Sequence, residues 1–303
     1  MFRVRQQIGC DAEETGMYTG KNVVAAILDT GIALHPDLKG RVIGFRDFTA
    51  ARTAVYDDCG HGTHVAGILA GDGKASGGRY RGIAPGCQLV IGKVLNFNGD
   101  GNLSDMLAGM EWIYEIRREY DIRILNISIG LNDLEDTESG NLLLKAVEKL
   151  WDAGIIVVVA AGNKGPGPMS ISPVGRSAKV ITVGCHDGGY FGERTDICEN
   201  YSGRGPTEFS MKKPDLVAPG TDIMSCNVKC RRYYHGYRNA YTVKSGTSMA
   251  TPMVAGAAAL FLEKYPEAAN EAVKRRLIYT ATDLKEPWSK QGWGMVNIKN
   301  LLT

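Results

Sequence analysis

Five largely apolar runs of strand length, separated by stretches of helical pattern, constrain this chain more than any other feature of its sequence. They are residues 23–29, 88–94, 122–129, 155–161 and 180–184. A strand with one face in water alternates polar and apolar residues, whereas a continuous run belongs to a strand buried on both faces. Residues 103–120, 142–153, 248–265 and 267–279 carry helical patterning between and after these runs. Such alternation predicts an α/β fold of three layers, a mostly parallel sheet with helices on both faces. At 303 residues the chain is long for one domain. Folds of this class reach that size as single units, and no Pro/Gly/Ser linker, low-complexity tract or internal repeat divides the chain. One domain over residues 1–303 is expected.

Gly246-Thr247-Ser248-Met249-Ala250-Thr251-Pro252 stands directly before the apolar, Ala-rich residues 253–262. That run reads as a buried helix. Ser248 then lies at or near a helix N-terminus, where unpaired backbone N–H groups and the helix dipole favour negative charge. A hydroxyl there is either a cap or a nucleophile whose oxyanion meets a ready donor. A nucleophilic serine needs a base, and the base needs a group to orient it. The first apolar run ends in Asp29-Thr30-Gly31, which puts a carboxylate at the edge of the sheet. Asp57-Asp58-Cys59-Gly60-His61-Gly62-Thr63-His64 opens a small-residue helix with His61 at its start and His64 one turn later on the same face.

Taken in order, Asp-Thr-Gly after a strand, His-Gly-Thr-His-Val-Ala-Gly, Ala160-Ala161-Gly162-Asn163 and Gly-Thr-Ser-Met-Ala-Thr-Pro resemble the subtilisin family of serine peptidases, the subtilases. His35-Pro36-Asp37-Leu38, Gly82-Ile83-Ala84-Pro85, Lys213-Pro214-Asp215-Leu216 and Gly292-Trp293-Gly294 extend the resemblance over nearly the whole chain. It implies a subtilisin-like fold and a serine endopeptidase. Ser248 is then the nucleophile and His61 the general base and later the general acid. Asp29 holds the imidazole tautomer, and Asn163 supplies the oxyanion-hole amide. The plainer use of Asn163 is a turn residue after a buried strand. His64 reads as a structural histidine and His35 as a turn residue before Pro36. The alternative is a catalytically idle relative serving as a binding or regulatory module, but no triad member is replaced. A lipase does not fit, because its Gly-x-Ser-x-Gly elbow places serine before the acid and histidine.

The resemblance also implies where a peptide lies. The family holds substrates extended between two edge segments, which match Gly99-Asp100-Gly101 and Ser128-Ile129-Gly130. Leu103, Met106 and Ile129 fall where the family builds its distal apolar pocket, though ordinary core at helical spacing explains them equally. The primary pocket runs between residues 128–131 and 160–163, Ala161 and Gly162 included, with a floor near residues 171–173. None of these segments holds an acidic residue, so an uncharged apolar or aromatic side chain is expected before the cleaved bond.

No cofactor is expected for catalysis. Asp37 matches one ligand of the calcium site of secreted members, while residues 72–81 depart from its loop, so a structural calcium rests on one oxygen where several are needed. Cys226-x-x-x-Cys230 with His235 offers a zinc reading, with free thiols or a loop disulfide as alternatives. A net charge of +2 gives no electrostatic case for nucleic acid, and Arg231-Arg232-Tyr233-Tyr234-His235 reads as a polar surface loop. The partner is a peptide or protein substrate, and the oligomeric state stays open. No apolar run is long enough to span a bilayer. The first residues lack the apolar core of a signal peptide, and the stretch before Asp29 is too short for the propeptide of secreted members. Two origins fit, a cytoplasmic enzyme made without them or a mature fragment of a secreted precursor. Met1 favours the first. An odd count of seven cysteines also suits a reducing compartment.

Overall fold

The computed structural model describes residues 1–303 except 14, 130–136 and 208–211, together with the side chain at 137. Among these, seven strands form one parallel sheet: β1 Val24–Asp29, β2 Val42–Asp47, β3 Gln88–Lys93, β4 Ile122–Ile127, β5 Ile156–Ala160, β6 Ile181–Cys185 and β7 Leu216–Ala218. Their order across the sheet is β2-β3-β1-β4-β5-β6-β7, and every neighbouring pair is parallel. The five apolar runs become β1, β3, β4, β5 and β6, each boundary within two residues of the run. β1, β5 and β6 are buried at every position, which is why their sequences do not alternate.

The helices are α1 Phe2–Gln7, α2 His61–Ala70, α3 Leu103–Ile116, α4 Thr137–Asp152, α5 Thr247–Lys264, α6 Asn270–Tyr279, α7 Trp288–Gln291 and α8 Ile298–Leu302. Residues 247–262 of α5 are all buried, because this helix packs against β4, β5, β6 and α2 at once. That accounts for an apolar run with no polar face. Two small antiparallel pairs lie outside the main sheet: β8 Ile223–Cys226 with β11 Tyr241–Lys244, and β9 Arg231–Tyr233 with β10 Gly236–Arg238. Among the described residues no helix is long and apolar enough to cross a membrane.

Parallel strands end on one side of a sheet, and loops leaving those ends share an edge. Register fixes the consequence here. Asp29 pairs with Lys93, Leu28 with Ile127, and Ile127 with Val159. The segments that follow β1, β3, β4 and β5 therefore leave the sheet side by side.

Candidate active site

Asp29 closes β1 with no solvent exposure, and its Oδ1 accepts from the Thr30 N–H at 2.7 Å. His61 is the first residue of α2, and its Nδ1 lies 2.7 Å and 3.0 Å from the two Asp29 oxygens. A carboxylate only accepts, so the imidazole proton on this side belongs to Nδ1 and Nε2 is left as the basic nitrogen. Burial alone lowers the pKa of His61. The Asp29 charge and its hydrogen bond outweigh burial and leave it raised. Gly62 is what allows α2 this close to β1. A Cβ there would overlap the Gly31 carbonyl oxygen and stand 3.2 Å from Asp29.

Asp57, which the motifs do not single out, fixes the start of α2. Its Oδ1 accepts from the N–H groups of Cys59 and Gly60 at 3.1 Å and 2.7 Å and from Thr30 Oγ1 at 2.9 Å. Its Oδ2 accepts from the Thr63 N–H and Oγ1 at 2.9 Å and 2.6 Å. One buried carboxylate thus satisfies donors at the α2 N-terminus and favours the dipole there. Lys93 is likewise outside the motifs. It is fully buried and donates from Nζ to Thr30 O, Leu95 O and Asp58 Oδ1 at 2.7–2.8 Å, tying the exits of β1 and β3 to the loop before His61. The sequence signal for Asp57 is an acid just before a helix start. A lone Lys in an apolar strand is the signal for Lys93.

Ser248 is the second residue of α5 and is 8 % exposed. Gly246 before it has φ 142°, a value that side-chain-bearing residues rarely adopt. Among the described residues the His61 imidazole bonds through Nδ1 alone, so Ser248 Oγ and His61 Nε2 are not hydrogen-bonded in this geometry. Bonds of this kind commonly tighten on substrate binding. Asn163 is exposed beyond β5, and its Oδ1 accepts from the Thr247 N–H at 3.1 Å and Thr247 Oγ1 at 3.0 Å. With Oδ1 so used, its Nδ2 is the free donor, and a Cβ on Gly246 would lie 3.3 Å from it. The N-termini of two packed helices and two strand exits thus gather an acid–imidazole pair, a hydroxyl and an amide donor.

The segments assigned to substrate lie on the same edge. Gly99, Asp100 and Gly101 follow β3 in a turn held by Asn96, whose N–H donates to Asp100 O at 2.8 Å. Ser128 and Ile129 follow β4, buried at 0 % and 5 %, and Gly130 lies outside the described residues. Ala161 and Gly162 are buried beyond β5, with Gly162 held against Ser172. Leu103 is half buried at the start of α3. Met106 is fully buried, so the structure describes its side chain as core. His64 is a structural histidine. Its Nε2 donates to Ile223 O at 2.9 Å, and burial lowers its pKa to about 3.

Asp37 does not fit calcium. It is fully buried, and its oxygens accept from the Ala75 N–H at 2.8 Å and from Tyr241 O–H at 2.7 Å. Beyond these stand the His35 imidazole and the Cys226 thiol. Calcium takes six to eight oxygens, largely carboxylate, carbonyl and water, whereas an imidazole, a thiol and a phenol are gathered here. His235, in the zinc reading, is an exposed residue at the tip of the β9–β10 hairpin.

Comparison with known proteins shows the family to which the chain belongs. The family model described as "Subtilase family" matches residues 20–294. The chain is 43% identical over 297 residues to Serine protease AprX of Bacillus subtilis (strain 168), covering 93% of this chain and 66% of that protein. It thus spans just under two thirds of that relative. It is 37% identical to Subtilisin DY of Bacillus licheniformis, covering 96% of this chain and 95% of that one. Among solved structures, Sphericase superposes with a TM-score of 0.76 at 28% identity, over 92% of each chain.

Proposed function

The chain belongs to the subtilase family of serine proteases, and we propose that it is an endopeptidase working through Asp29, His61 and Ser248. The observation that carries the reading is the pairing of His61 Nδ1 with a fully buried Asp29 at the sheet edge where the α5 N-terminus presents Ser248. His61 Nε2 takes the proton of Ser248 Oγ as that oxygen attacks the carbonyl carbon of the bound peptide. The imidazolium so formed is stabilised by Asp29. Charge developing on the carbonyl oxygen is met by Asn163 Nδ2 and by the α5 N-terminus. His61 then gives its proton to the leaving amine, and water hydrolyses the acyl-serine by the same steps reversed.

The peptide lies extended between residues 99–101 and 128–129, with its side chain before the cleaved bond between residues 128–129 and 160–163; residues 130 and 131 of the expected segments lie outside the described residues. The substrate is a peptide or protein with an uncharged, apolar or aromatic residue there. Seven thiols with no disulfide framework suit a reducing compartment, which supports a cytoplasmic enzyme.

An active-site-directed fluorophosphonate tests the reading. Covalent labelling of the wild-type chain, lost in Ser248→Ala and in His61→Ala, supports it. Labelling retained in both variants would mean an idle relative bearing another reactive group.

A further inference from the structure

Beneath the loop that follows β1, three donors converge outside the catalytic edge. A ring nitrogen of His35, an Asp37 oxygen and Cys226 Sγ all lie within 4.8 Å of one another. They are 3 %, 0 % and 1 % exposed. His35 Nδ1 stands 3.8 Å from Asp37 Oδ1, and Cys226 Sγ stands 4.0 Å from Asp37 Oδ2. Ligands on a tetrahedral zinc at about 2.0–2.3 Å are roughly 3.3–3.8 Å apart. Each pair, measured to a different oxygen of the carboxylate, is within about 0.5 Å of that spacing before any cation draws the donors in, so the Asp37 carboxylate turns one oxygen to the ion or binds through both.

The surroundings suit a cation as well as the distances do. Among the described residues no Lys or Arg pairs with Asp37, so a fully buried carboxylate lacks a cationic partner. Such a charge is costly unless neutralised. His35 Nε2 lies 2.7 Å from the carbonyl oxygen of Ala240. A carbonyl only accepts, so the proton is on Nε2, and the Nδ1 lone pair accepts from the Asp37 N–H. The Nε2 bond is the outer bond that fixes a metal-binding imidazole in its tautomer. Tyr241 O–H and the Ala75 N–H hold the carboxylate in the same way. Access exists too, since His35 and Cys230 line a cavity of about 510 Å³.

We propose that His35, Asp37 and Cys226 bind a soft divalent cation, Zn²⁺ by the character of the donors. A thiolate and an imidazole exclude calcium and magnesium, which take oxygen. A fourth ligand comes from the cavity side, from water or Cys230. Binding removes the proton from Cys226, which passes to solvent, while His35 stays neutral and keeps its Nε2 proton on Ala240. It replaces the hydrogen bond from the Asp37 N–H to His35 Nδ1, at 3.1 Å. The ion would join the Pro36–Leu38 turn to β8, and through Ala240 and Tyr241 to β11, which runs into the Ser248 segment.

Chelator-treated Ser248→Ala chain, which does not digest itself, is titrated with ZnCl₂ and CoCl₂. The readouts are thermal midpoint and the sulfur-to-cobalt charge-transfer band. One ion per chain, a raised midpoint and that band are expected. Cys226→Ser and His35→Gln, each shown folded by circular dichroism, should weaken binding by more than the about 10–100-fold that loss of an outer partner costs. Cys59→Ser should bind as before. Absence of binding at micromolar zinc overturns the proposal. So does a cobalt band that survives Cys226→Ser, one lost in Cys59→Ser (a cation at His61), or a Cys226–Cys230 disulfide in the native chain.

Discussion

Thr247 gives both of its donors to one acceptor: its N–H and its Oγ1 reach Asn163 Oδ1 at 3.1 Å and 3.0 Å. The amide is thereby turned so that Nδ2 points its hydrogens away from Thr247. A donor held before the reaction stabilises developing charge without reorganising at the moment of attack. Asn163→Ala should therefore lower kcat by about 10²–10³ with little change in KM, the loss already known for the equivalent donor of a subtilisin. Thr247→Val keeps the backbone donor and removes Oγ1, so a smaller loss of kcat is expected, again without a KM effect. Steady-state kinetics on both variants decide it. A rise in KM alone in Asn163→Ala would put this residue in substrate binding.

In the proposed mechanism the Asp29–His61 pair sets the acid limb of activity. A general base works when unprotonated, and Asp29 raises the pKa of His61 above its ordinary value of about 6.5. Activity should fall as pH drops through that raised value, so the midpoint of the limb in kcat/KM lies above about 6.5. Asp29→Asn removes the charge and leaves burial unopposed. The limb should then move to lower pH while kcat falls by about 10⁴, a size known from this family and from trypsin-like enzymes. A limb that stays in place in Asp29→Asn would show that another group titrates.

Legibility differs by element for physical reasons. β1, β3, β4, β5 and β6 can be read because burial on both faces leaves an unbroken apolar run. β2 escapes because it is mostly half exposed and mixes Gly44 and Arg46 into the pattern, and β7 because it is three residues long. The β8–β11 and β9–β10 pairs hide in a segment of Cys, Tyr and Arg with no period. Motifs single out Asp29, His61, Asn163 and Ser248 because each sits at or just beyond an element end with Gly close by. The work of Lys93 is not legible, since Thr30 and Asp58 come from separate segments, and that of Asp57 is legible only in part, as a carboxylate before a helix start whose bond to Thr30 the sequence does not show. Nor is the fate of Met106 and Asp37, which depends on what packs over them.

His64 predicts a loss of stability on mild acidification. Its pKa is lowered to about 3 in the folded chain, against about 6.5 when unfolded. Below about 6.5 the unfolded chain takes up a proton that the folded chain refuses, so stability falls as pH drops towards 3. His186, also lowered mainly by burial, acts in the same direction. His61, raised, acts in the opposite one. The variant His64→Gln keeps an amide donor for the Ile223 carbonyl and removes the titrating group. Its midpoint should be lower near pH 7 and decline less steeply between about pH 6.5 and 4.5. Parallel curves for the two proteins would remove His64 from the account.

The proposed specificity rests on the residues of the expected pocket segments. Ser128, Ile129, residues 160–163 and Ile171 bring small or apolar groups and no carboxylate. Desolvating a Lys or Arg head there without a partner is unfavourable. Apolar and aromatic residues should dominate the position before the cleaved bond in a peptide-library profile. A profile dominated by Arg or Lys would contradict this pocket.

Cys59 lies close to the Gly99 segment assigned to substrate. A Cβ placed on Gly99 would lie 3.7 Å from its Sγ, and it precedes His61 by two residues. The thiol is half exposed, so a reagent can reach it. Burial nevertheless raises its pKa, which keeps the thiolate fraction low and the reaction slow near neutral pH. A bulky maleimide should therefore inhibit gradually, faster as pH rises, and a competitive peptide inhibitor should protect. Cys10, Cys87, Cys185, Cys198 and Cys226 are buried, and Cys230 is remote in sequence, so wild type must be compared with Cys59→Ser under one reagent. Cys59→Ser should retain activity after treatment while wild type loses most of it. Equal inhibition of the two would place the sensitive thiol elsewhere, with Cys230, the other half-exposed cysteine, as the residue to replace next.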